Sequence, residues 1–478
     1  MKKSFVMRNT ILLFILFFPF YNCFSQNPFY PTEDASGFSF GNNVDVYNSD
    51  VLVSSSSMLP DKAGKVYLFK LTNEELLQTD VFYPTDALTS DNFGASISIQ
   101  NDFIAIGSPN HDANSNNSGA VYLYKRANNI WELIQKITAI DASAEDHFGS
   151  FVKIHNNQLF VSAIDDEENG QNINTNSGAV YIYTLNGNEF EFSNKLISDS
   201  PYKFGNKIEA ENNTIVISSG DYGKLPTDIS YFNIYQWNDI NWVLTRFGEV
   251  GNLEENVYDF SLSNNQIYFI SDHLGGNDSV SIMPIDNPDW LYLDGIFEIP
   301  KSDQIHTKIK VNGDKMFIGS NFYMLGMTRK FPLLYYQKVD ANWIYQKTFY
   351  GTGPYQDDYF GSSIACQGNT LIIGAPGEGY ILSYGKAYYI NTTNLTTSEF
   401  VRKQSSIYPN PTQHSVFIKN NSENLIVKIG IQGITGNLLF TEDQDFEQLS
   451  LDKLSSGIYF MKLYYNNGNN ETHKIIKK

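Results

Sequence analysis

Cysteine is almost absent from this chain, because its 478 residues include only Cys23 and Cys366. Cys23 lies in an N-terminal segment that we expect to be removed, and Cys366 lies inside a predicted strand. One remaining thiol cannot form an intramolecular disulfide, so a disulfide framework is excluded. The fold must therefore be stabilised by the burial of apolar side chains.

Long hydrophobic runs are missing beyond the N-terminus. The run at residues 11–18 follows three basic residues and is too short to span a bilayer. Cys23 and Ser25 then place small residues at the −3 and −1 positions of a cleavage site. We therefore predict a secretory signal peptide over residues 1–25, cleaved before Gln26. Cys23 could instead indicate a lipoprotein, but the preceding Tyr21-Asn22 does not match a lipobox.

Basic residues are scarce: there are 33 Lys and Arg against 52 Asp and Glu, which gives a net charge of −19. The imbalance lies in residues 27–400, where 21 basic and 45 acidic residues give −24. A chain this acidic repels phosphate backbones, so nucleic acid is excluded as a partner. Solubility explains the charge more simply than an acidic binding face, although both readings stay open.

Helical periodicity is also missing after residue 26. Short runs rich in β-branched and aromatic residues are separated instead by Asn, Asp and Gly. Four such runs lie at residues 95–99, 103–108, 120–124 and 131–137. Apolar residues alternate with polar ones in the first of them, which indicates strands.

The dipeptide Phe-Gly recurs at a nearly constant interval, ending at Gly41, Gly94, Gly149, Gly205 and Gly361. The first three intervals are 53, 55 and 56 residues, and the last, of 156, holds two degenerate copies. A fixed period of this length indicates a repeated supersecondary unit. We therefore predict an all-β fold whose main part is a seven-bladed β-propeller of four-stranded sheets.

Two copies carry a longer motif, Phe93-Gly94 with Gly107-Ser108-Pro109 and Phe360-Gly361 with Gly374-Ala375-Pro376. These residues resemble the FG-GAP repeat, which builds the seven-bladed propeller of integrin α-subunits and of many bacterial surface proteins. The resemblance covers roughly residues 38–390. It implies a propeller that presents loops to a ligand.

The resemblance fails at the calcium loop. In the integrin repeat, an Asp-x-Asp-x-Asp-Gly loop between the first two strands supplies oxygen ligands to the cation. The corresponding connection here is Gln100-Asn101-Asp102, and the other copies have similar short Asn- and Gly-rich turns. We therefore do not carry the calcium ligands over, and we predict no metal and no cofactor.

The C-terminal 70 or so residues have a different sequence pattern. They begin with Tyr-Pro-Asn-Pro, contain a later Gly-Ile-Tyr and end in a predicted strand of basic and apolar residues. This order resembles the type A sorting domain of the type IX secretion system. In that family the domain is a small β-sandwich recognised by the outer-membrane translocon. The residues that carry the motif are Tyr408, Pro409, Asn410, Pro411, Gly457, Ile458 and Tyr459.

The resemblances together give the expected organisation of the chain. Residues 1–25 form the signal peptide, 26–400 the propeller, 401–406 a linker and 407–478 the sorting domain. The implied partner is the type IX translocon. The expected location is outside the cell or on the outer surface of a Gram-negative bacterium, and no transmembrane span is expected in the mature protein.

Several acidic and aromatic residues are candidate sites. The cluster Asp165-Asp166-Glu167-Glu168 could hold calcium, but a solvated loop without fixed geometry is favoured. The acids that precede Phe-Gly recur in several units, which predicts a turn or cap role; they are Asp91, Asp146 and Asp358. Three tryptophans at equivalent repeat positions are expected to pack between blades rather than to stack on sugars; they are Trp131, Trp242 and Trp343.

The sixth unit contains an apolar loop where other units carry Asn and Ser. Phe322, Tyr323 and Met324 form its centre. An apolar loop on a polar template indicates a partner-binding patch. The alternative is sequence drift, with the loop folded back onto the propeller.

Two functions are compatible with these features. The favoured one is a secreted, non-enzymatic binding or adhesion protein whose propeller loops engage a protein or glycan, because no nucleophile–base–acid set or phosphate loop is found. The alternative is a secreted hydrolase acting on polysaccharide or peptide. It would require carboxylates such as Asp86, Asp141 and Asp358 to converge at one end of the central channel.

Overall fold

The computed structural model divides into two compact units, Met1–Leu395 and Thr396–Lys478. The predicted boundaries at residues 400 and 406 stay predictions. The predicted signal peptide lies outside the described residues. The structure describes residues 27–32, 39–56, 63–86, 90–167, 177–199, 203–220, 230–250, 255–273, 278–286, 295–299, 307–319, 332–339, 342–351, 359–377, 385–395, 405–420, 425–433, 438–443, 446–465 and 470–478.

The described part of the first unit contains seven four-stranded antiparallel sheets, here called blades 1 to 7 in chain order of their inner strands. This confirms the predicted all-β propeller. The strands of blades 1 to 3 are β2 (Ser39–Tyr47), β3 (Asp50–Ser56), β4 (Lys65–Thr72) and β5 (Glu75–Phe82); β6 (Ser96–Gln100), β7 (Phe103–Ser108), β8 (Ala120–Ala127) and β9 (Ile130–Ile137); β10 (Phe148–His155), β11 (Gln158–Ala163), β12 (Ala179–Asn186) and β13 (Glu189–Leu196).

Blades 4 to 6 follow the same order. Their strands are β14 (Lys207–Glu211), β15 (Thr214–Ser219), β16 (Ser230–Trp237) and β17 (Trp242–Val250); β18 (Glu255–Ser263), β19 (Gln266–His273), β20 (Asp278–Pro284) and β21 (Gly295–Glu298); β22 (Lys308–Asn312), β23 (Lys315–Gly319), β24 (Pro332–Val339) and β25 (Asn342–Tyr350).

Blade 7 combines the two ends of the unit. Its inner strand is β26 (Ser363–Gln367), and β27 (Thr370–Ala375) and β28 (Lys386–Asn391) are its second and third strands. A 3₁₀ turn at Thr392–Asn394 follows β28. Its fourth strand is β1 (Asn27–Phe29), which pairs antiparallel with β28. The repeat pattern does not reveal this strand, so the N-terminal closure of the ring is a finding of the structure.

The Phe-Gly dipeptide marks the junction between blades. The backbone N–H of Phe93 donates to Ala63 O in blade 1 at 2.8 Å, and Phe204 donates to Ser177 O in blade 3 at 2.8 Å. The phenylalanine side chains are fully buried. Gly149 has φ +94°, and a Cβ there would lie 2.7 Å from the Ala120 carbonyl oxygen, so only glycine fits.

The core lies mainly between blades. One cluster joins Leu52 and Phe82 of blade 1 to Ile104 and Tyr122 of blade 2. The tryptophans extend this packing, as predicted, because each ring contacts an aromatic ring of the preceding blade. The pairs are Trp131 with Phe82 (6.3 Å between ring centroids), Trp242 with Phe160 (5.6 Å) and Trp343 with Tyr268 (5.8 Å).

The second unit consists of two small sheets around one core, which fits the predicted sandwich. The three-stranded sheet has the order β29–β30–β33 and the four-stranded sheet the order β32–β31–β34–β35. Their apolar faces share a core that includes Val416, Ile429, Leu451, Met461 and Ile475. The strands are β29 (Ser405–Tyr408), β30 (Ser415–Asn420), β31 (Ile426–Gln432), β32 (Leu438–Glu442), β33 (Gln448–Ser450), β34 (Gly457–Tyr465) and β35 (Asn470–Lys477).

Candidate functional site

A central cavity of about 660 Å³ runs through the propeller. Residues of all seven inner strands line it, because alternate residues of a strand point to opposite sides and one set faces the axis. A volume of this size is typical of sites for small molecules. We call it the channel.

The last residue of every inner strand contacts the next blade. Since seven such contacts return to the first blade, they form a closed set, which we call the inter-blade ring. The contacts are Tyr47 Oη to Asn101 Oδ1 (2.6 Å), Asn156 N to Gln100 Oε1 (3.0 Å), His155 Nε2 with Asn212 O (2.7 Å), Asn264 N and Asn265 N to Glu211 (3.0 and 3.1 Å), Gly313 N to Ser263 Oγ (3.2 Å), Asn312 Nδ2 to Cys366 O (3.3 Å) and Asn48 N to Gln367 Oε1.

Charged side chains fill the middle of the channel. Lys310 Nζ in blade 6 lies 3.0 and 3.1 Å from the two carboxylate oxygens of Glu209 in blade 4. Lys207 Nζ lies 3.4 Å from Glu209 Oε1 and 2.7 Å from Asp259 Oδ1 in blade 5. This network therefore joins three blades through side chains inside the channel.

Glu209 is ionised at every physiological pH despite its burial. Burial alone opposes ionisation, but Lys310, Lys207 and Lys153 outweigh it and lower the pKa of Glu209 to about 2. The same pairing raises the pKa of Lys310 above its ordinary value, against the effect of burial. The carboxylate and its lysines are consequently permanent charges.

Sequence reasoning missed this site, although the pattern was readable. Blade 4 has Lys207, Glu209 and Glu211 at alternate positions of a predicted inner strand, and blade 6 has Lys308 and Lys310. Charges with period 2 on strands that surround an axis indicate a charged channel. The net charge of the whole domain does not reveal this alternation, which is visible only along each inner strand.

A second polar arrangement repeats on blades 2 and 3. In blade 2, Asp86 accepts from Tyr122 Oη at 3.0 Å and from Lys136 Nζ at 2.6 Å. Lys136 Nζ also lies 2.6 Å from His111 Nε2, and His111 Nδ1 lies 2.6 Å from Asp91 Oδ2. These contacts join the loop before the blade to its third and fourth strands.

In blade 3 the equivalent carboxylate is Asp141, which accepts from Tyr181 Oη at 2.6 Å and from Lys195 Nζ at 2.8 Å. Although burial opposes ionisation, Lys195 and Tyr181 hold the pKa of Asp141 below its ordinary value. Asp86 and Asp141 therefore each bind a lysine of their own blade instead of converging on one point. Asp358, the third carboxylate of the predicted set, lies outside the described residues.

The prediction of a solvated acidic loop is wrong for Asp165 and Asp166. Asp166 is buried, accepts from Tyr181 Oη at 2.5 Å and lies 2.9 Å from Lys195 Nζ. Asp165 lies 3.0 Å from His147 Nδ1. The fold of the repeat places the Asp166 carboxylate beside Tyr181 and Lys195, and the lysine balances its charge. Glu167 is exposed, as predicted, and Glu168 lies outside the described residues.

Of the three acids that precede Phe-Gly, Asp146 caps a turn through its side chain. Asp146 Oδ2 accepts from the Ser143 backbone N–H at 2.6 Å, which confirms the prediction for this residue. Asp91 acts instead through its carbonyl oxygen, which accepts from Ser108 Oγ at 2.9 Å. Burial, together with the neighbouring carboxylate of Asp166, raises the pKa of Asp146 to about 6 despite the bond from Ser143.

The residues where the related repeat holds calcium form two-residue turns in all seven blades. Asn101, Asn156 and Asn212 have positive φ values of 55°, 47° and 51°, which suits tight hairpins. Among the described residues no group of three or more His, Cys, Asp or Glu side chains could hold a metal ion. The predicted patch Phe322, Tyr323 and Met324 lies outside the described residues, on the connection between β23 and β24.

The C-terminal motif is brought together by the last strand. Asn410 Nδ2 donates to Lys474 O at 2.7 Å, and Asn410 Oδ1 accepts from Ile476 N at 2.9 Å. Gly457, Ile458 and Tyr459 pair with the same strand opposite Lys477, Ile476 and Ile475. Tyr408 stacks on Phe417 and is half exposed, and the peptide bonds before Pro409 and Pro411 are cis.

Comparisons with protein families agree with both units. Residues 77–124, 131–183 and 350–390 match the FG-GAP repeat. Residues 406–478 match the secretion system C-terminal sorting domain. In the part of the chain that the structure describes, no helix has the length and apolar character to cross a bilayer. No curated protein matches the chain.

Solved structures similar to this chain include other β-propellers. The propeller domain of the Trilobed protease from Pyrococcus furiosus shares 9% identity, with 74% of this chain and 95% of that chain covered and a TM-score of 0.44. The WD40 propeller domain of Doa1 shares 11% identity over 75% and 94% of the two chains, with a TM-score of 0.45.

A puromycin-hydrolyzing peptidase of Mycobacterium tuberculosis shares 10% identity, with 91% of this chain covered and a TM-score of 0.47. This chain spans 61% of that protein's length. The repeats and the C-terminal match carry more weight than these distant likenesses. The chain is thus a β-propeller protein with FG-GAP repeats and a C-terminal sorting domain, exported by the type IX secretion system to the cell surface or the surroundings.

Proposed function

We propose that this protein is a non-enzymatic binding or adhesion protein that engages an extracellular protein or glycan through one face of its propeller. The observation that carries the proposal is that the connections between strands are short on one face of the propeller and long on the other. The lower face, at the ends of the inner strands, has a two-residue turn between the first and second strands of every blade. The atoms of these turns are largely used by the inter-blade ring.

The upper face carries the longer connections. Between the second and third strands these have eight to fifteen residues in six of the seven blades. In blades 2 and 3, the Asp–Tyr–Lys contacts of Asp86 and Asp141 anchor the adjoining loops to the sheet. Anchored loops on a rigid scaffold are suited to recognition, because little ordering entropy is lost on binding.

The predicted apolar patch lies on one of these connections. In sequence it falls between β23 and β24, the second and third strands of blade 6. Aromatic residues on such a connection would favour a protein or glycan partner.

The test is a screen of the labelled, purified exported protein against arrays of glycans and extracellular proteins, with and without calcium. We expect saturable binding to one class of ligand. The double substitution Phe322→Ser with Tyr323→Ser should weaken it. Ile130→Ser is the matched control, because Ile130 is exposed and follows the turn between β8 and β9 on the lower face.

Two outcomes would count against the proposal. One is a well-folded protein that binds nothing on either array. The other is turnover of a polysaccharide or peptide by the purified protein, which would favour the hydrolase alternative.

A further inference from the structure

The four acidic side chains that line the channel are all engaged. Asp259 and Glu209 bind lysines, as described above. The other two bind backbone N–H groups: Asp45 accepts from Val46 N and Ile99 N, both at 2.9 Å, and Glu211 accepts from Asn264 N and Asn265 N. None of these carboxylates therefore needs a further cation.

The four channel lysines are not matched in the same way. Lys207 and Lys310 bind carboxylates, but Lys153 and Lys308 have no hydrogen bond or ion pair with any residue the structure describes. Both are only partly exposed. Lys153 acts on Glu209 at longer range, where it helps to lower the pKa of that carboxyl. An ammonium group held in a cavity without a direct partner loses hydration and gains no hydrogen bond in return.

The position of these lysines points to the upper mouth of the channel. Lys308 pairs with Gly319 and Lys207 with Ser218, so both stand at the start of their inner strands, at the upper face. Lys153 stands two positions further along its strand, at the level of Glu209 and Lys310. Blades 3 and 6, which carry Lys153 and Lys308, lie on opposite sides of a seven-bladed ring.

We propose that the channel binds a small anionic ligand, whose carboxylate, sulfate or phosphate group is held by Lys153 and Lys308. The inference rests on the proposed binding function and names its ligand class. The ligand enters from the upper face, where Lys308 stands at the start of its inner strand. Its anionic group supplies the direct partner that both lysines lack, and the 660 Å³ channel admits a molecule of one or two sugar rings.

Isothermal titration of the purified exported protein at low ionic strength tests this inference, since salt screens such contacts. Separate arms use glucuronate, inorganic sulfate and inorganic phosphate, which distinguish a carboxylate, a sulfate and a phosphate as the recognised group. We expect saturable binding of at least one of them. Glucose, which has no charge, should not bind.

The variant that tests the site is Lys153→Gln with Lys308→Gln. Because a hydrogen bond to a charged group contributes about 1.5–3 kcal/mol, each substitution should weaken binding at least about tenfold. The double variant should still fold, since neither lysine makes a hydrogen bond or ion pair with a described residue, and a thermal melt checks this. Lys308→Gln alone is the substitute if the double variant does not fold.

Lys419→Gln is the matched control, because it removes the same charge from an exposed position of the second unit. Binding that survives the double substitution, or equal loss in the control, would overturn the inference. So would the absence of binding by all three anions. Array binding without anion binding would overturn this inference alone and leave the proposed function intact.

Discussion

Positions 111 and 166 occupy the same place in successive blades and carry different chemistry. His111 N donates to Ser108 O and Asp166 N to Ala163 O. The carbonyl oxygens of His111 and Asp166 each accept from the glycine before the third strand. In blade 2 the histidine bridges a lysine and Asp91. In blade 3 an aspartate stands there, so the neighbouring Asp146 faces a second carboxylate.

The first prediction concerns this carboxylate pair. The pKa of Asp146 is raised to about 6, against ~3.9 in an unfolded chain, so the folded state binds the proton more tightly. Its contribution to stability is therefore present below pH ~4 and is lost as the pH rises through about 6. Asp146→Asn removes this penalty and keeps an oxygen for the Ser143 N–H. The variant should gain stability relative to wild type at pH 7.5 but not at pH 4.

Thermal unfolding of both proteins at a series of pH values measures this difference. Asp112→Asn is the control, because Asp112 is exposed and its carboxylate accepts only from Asn117 N in the described residues. A stability difference between Asp146→Asn and wild type that does not change from pH 4 to pH 7.5 would contradict the prediction.

At the residue scale, the sequence predicts the roles of residues that recur at the same position in several repeats. Phe-Gly and the three tryptophans recur at fixed spacing, so their packing could be inferred from position alone. The contacts of Asp165 and Asp166 could not be inferred, because their partners lie elsewhere in the chain: His147 for Asp165, and Tyr181 and Lys195 for Asp166. The pairing of the channel lysines could not be predicted for a similar reason, because contacts between blades depend on the ring geometry and not on neighbours in the chain.

At the scale of single elements, β1 is the exceptional strand. Its three residues pair with Ala387, Tyr388 and Tyr389 of β28, and Phe29 packs 4.9 Å from the ring of Phe69 in blade 1. The strand therefore joins the last blade to the first. A strand of three residues that contains a proline carries no pattern that sequence reading could detect, which is why only the repeated strands were predictable.

The second prediction is that deletion of residues 26–32 leaves β28 as an open sheet edge. The amides of β28 (Lys386–Asn391) should then exchange with solvent much faster, because one of their two neighbouring strands is gone. Hydrogen exchange with mass spectrometry measures this. Strand β8 (Ala120–Ala127), which keeps both neighbours, is the internal reference.

Tyr30→Ala is a separate control, because Tyr30 is largely exposed and follows the strand. Unchanged protection of β28 in the deletion variant would show that β1 does not close the ring. Self-association of the variant is also expected, since an open edge can pair with another chain.

At the scale of the whole molecule, the C-terminal unit combines motifs that are far apart in sequence. Asn410, Gly457 and Ile476 belong to three segments, and the last strand holds all three at one end of a sheet. The sequence identified the motifs by their resemblance to a family. Their convergence on one strand follows from the topology and could not be read from their order.

The third prediction is that Asn410→Ala reduces export. The substitution removes both side-chain hydrogen bonds to the last strand, which loosens the end of the sheet where the motifs meet. We expect the variant to accumulate inside the cell while the wild type reaches the surface or the medium. Immunoblots of cell fractions and medium measure the distribution.

Gln413→Ala is the control, since the side chain of Gln413 is exposed and only its backbone carbonyl contacts Lys477. Normal export of Asn410→Ala would contradict the prediction. A folded propeller in the retained protein, checked by limited proteolysis, would show that sorting rather than folding is affected.

The sharing of blade 7 between the two ends of the propeller has a consequence for the order of events during synthesis. Six blades are contiguous in the chain, so each can assemble as soon as its own residues are available. Blade 7 cannot, because β1 precedes every other strand of the propeller and its partner β28 is made more than 350 residues later. The earliest strand must therefore wait unpaired through the synthesis of all the others, and the propeller becomes a closed ring only in the last step of its assembly.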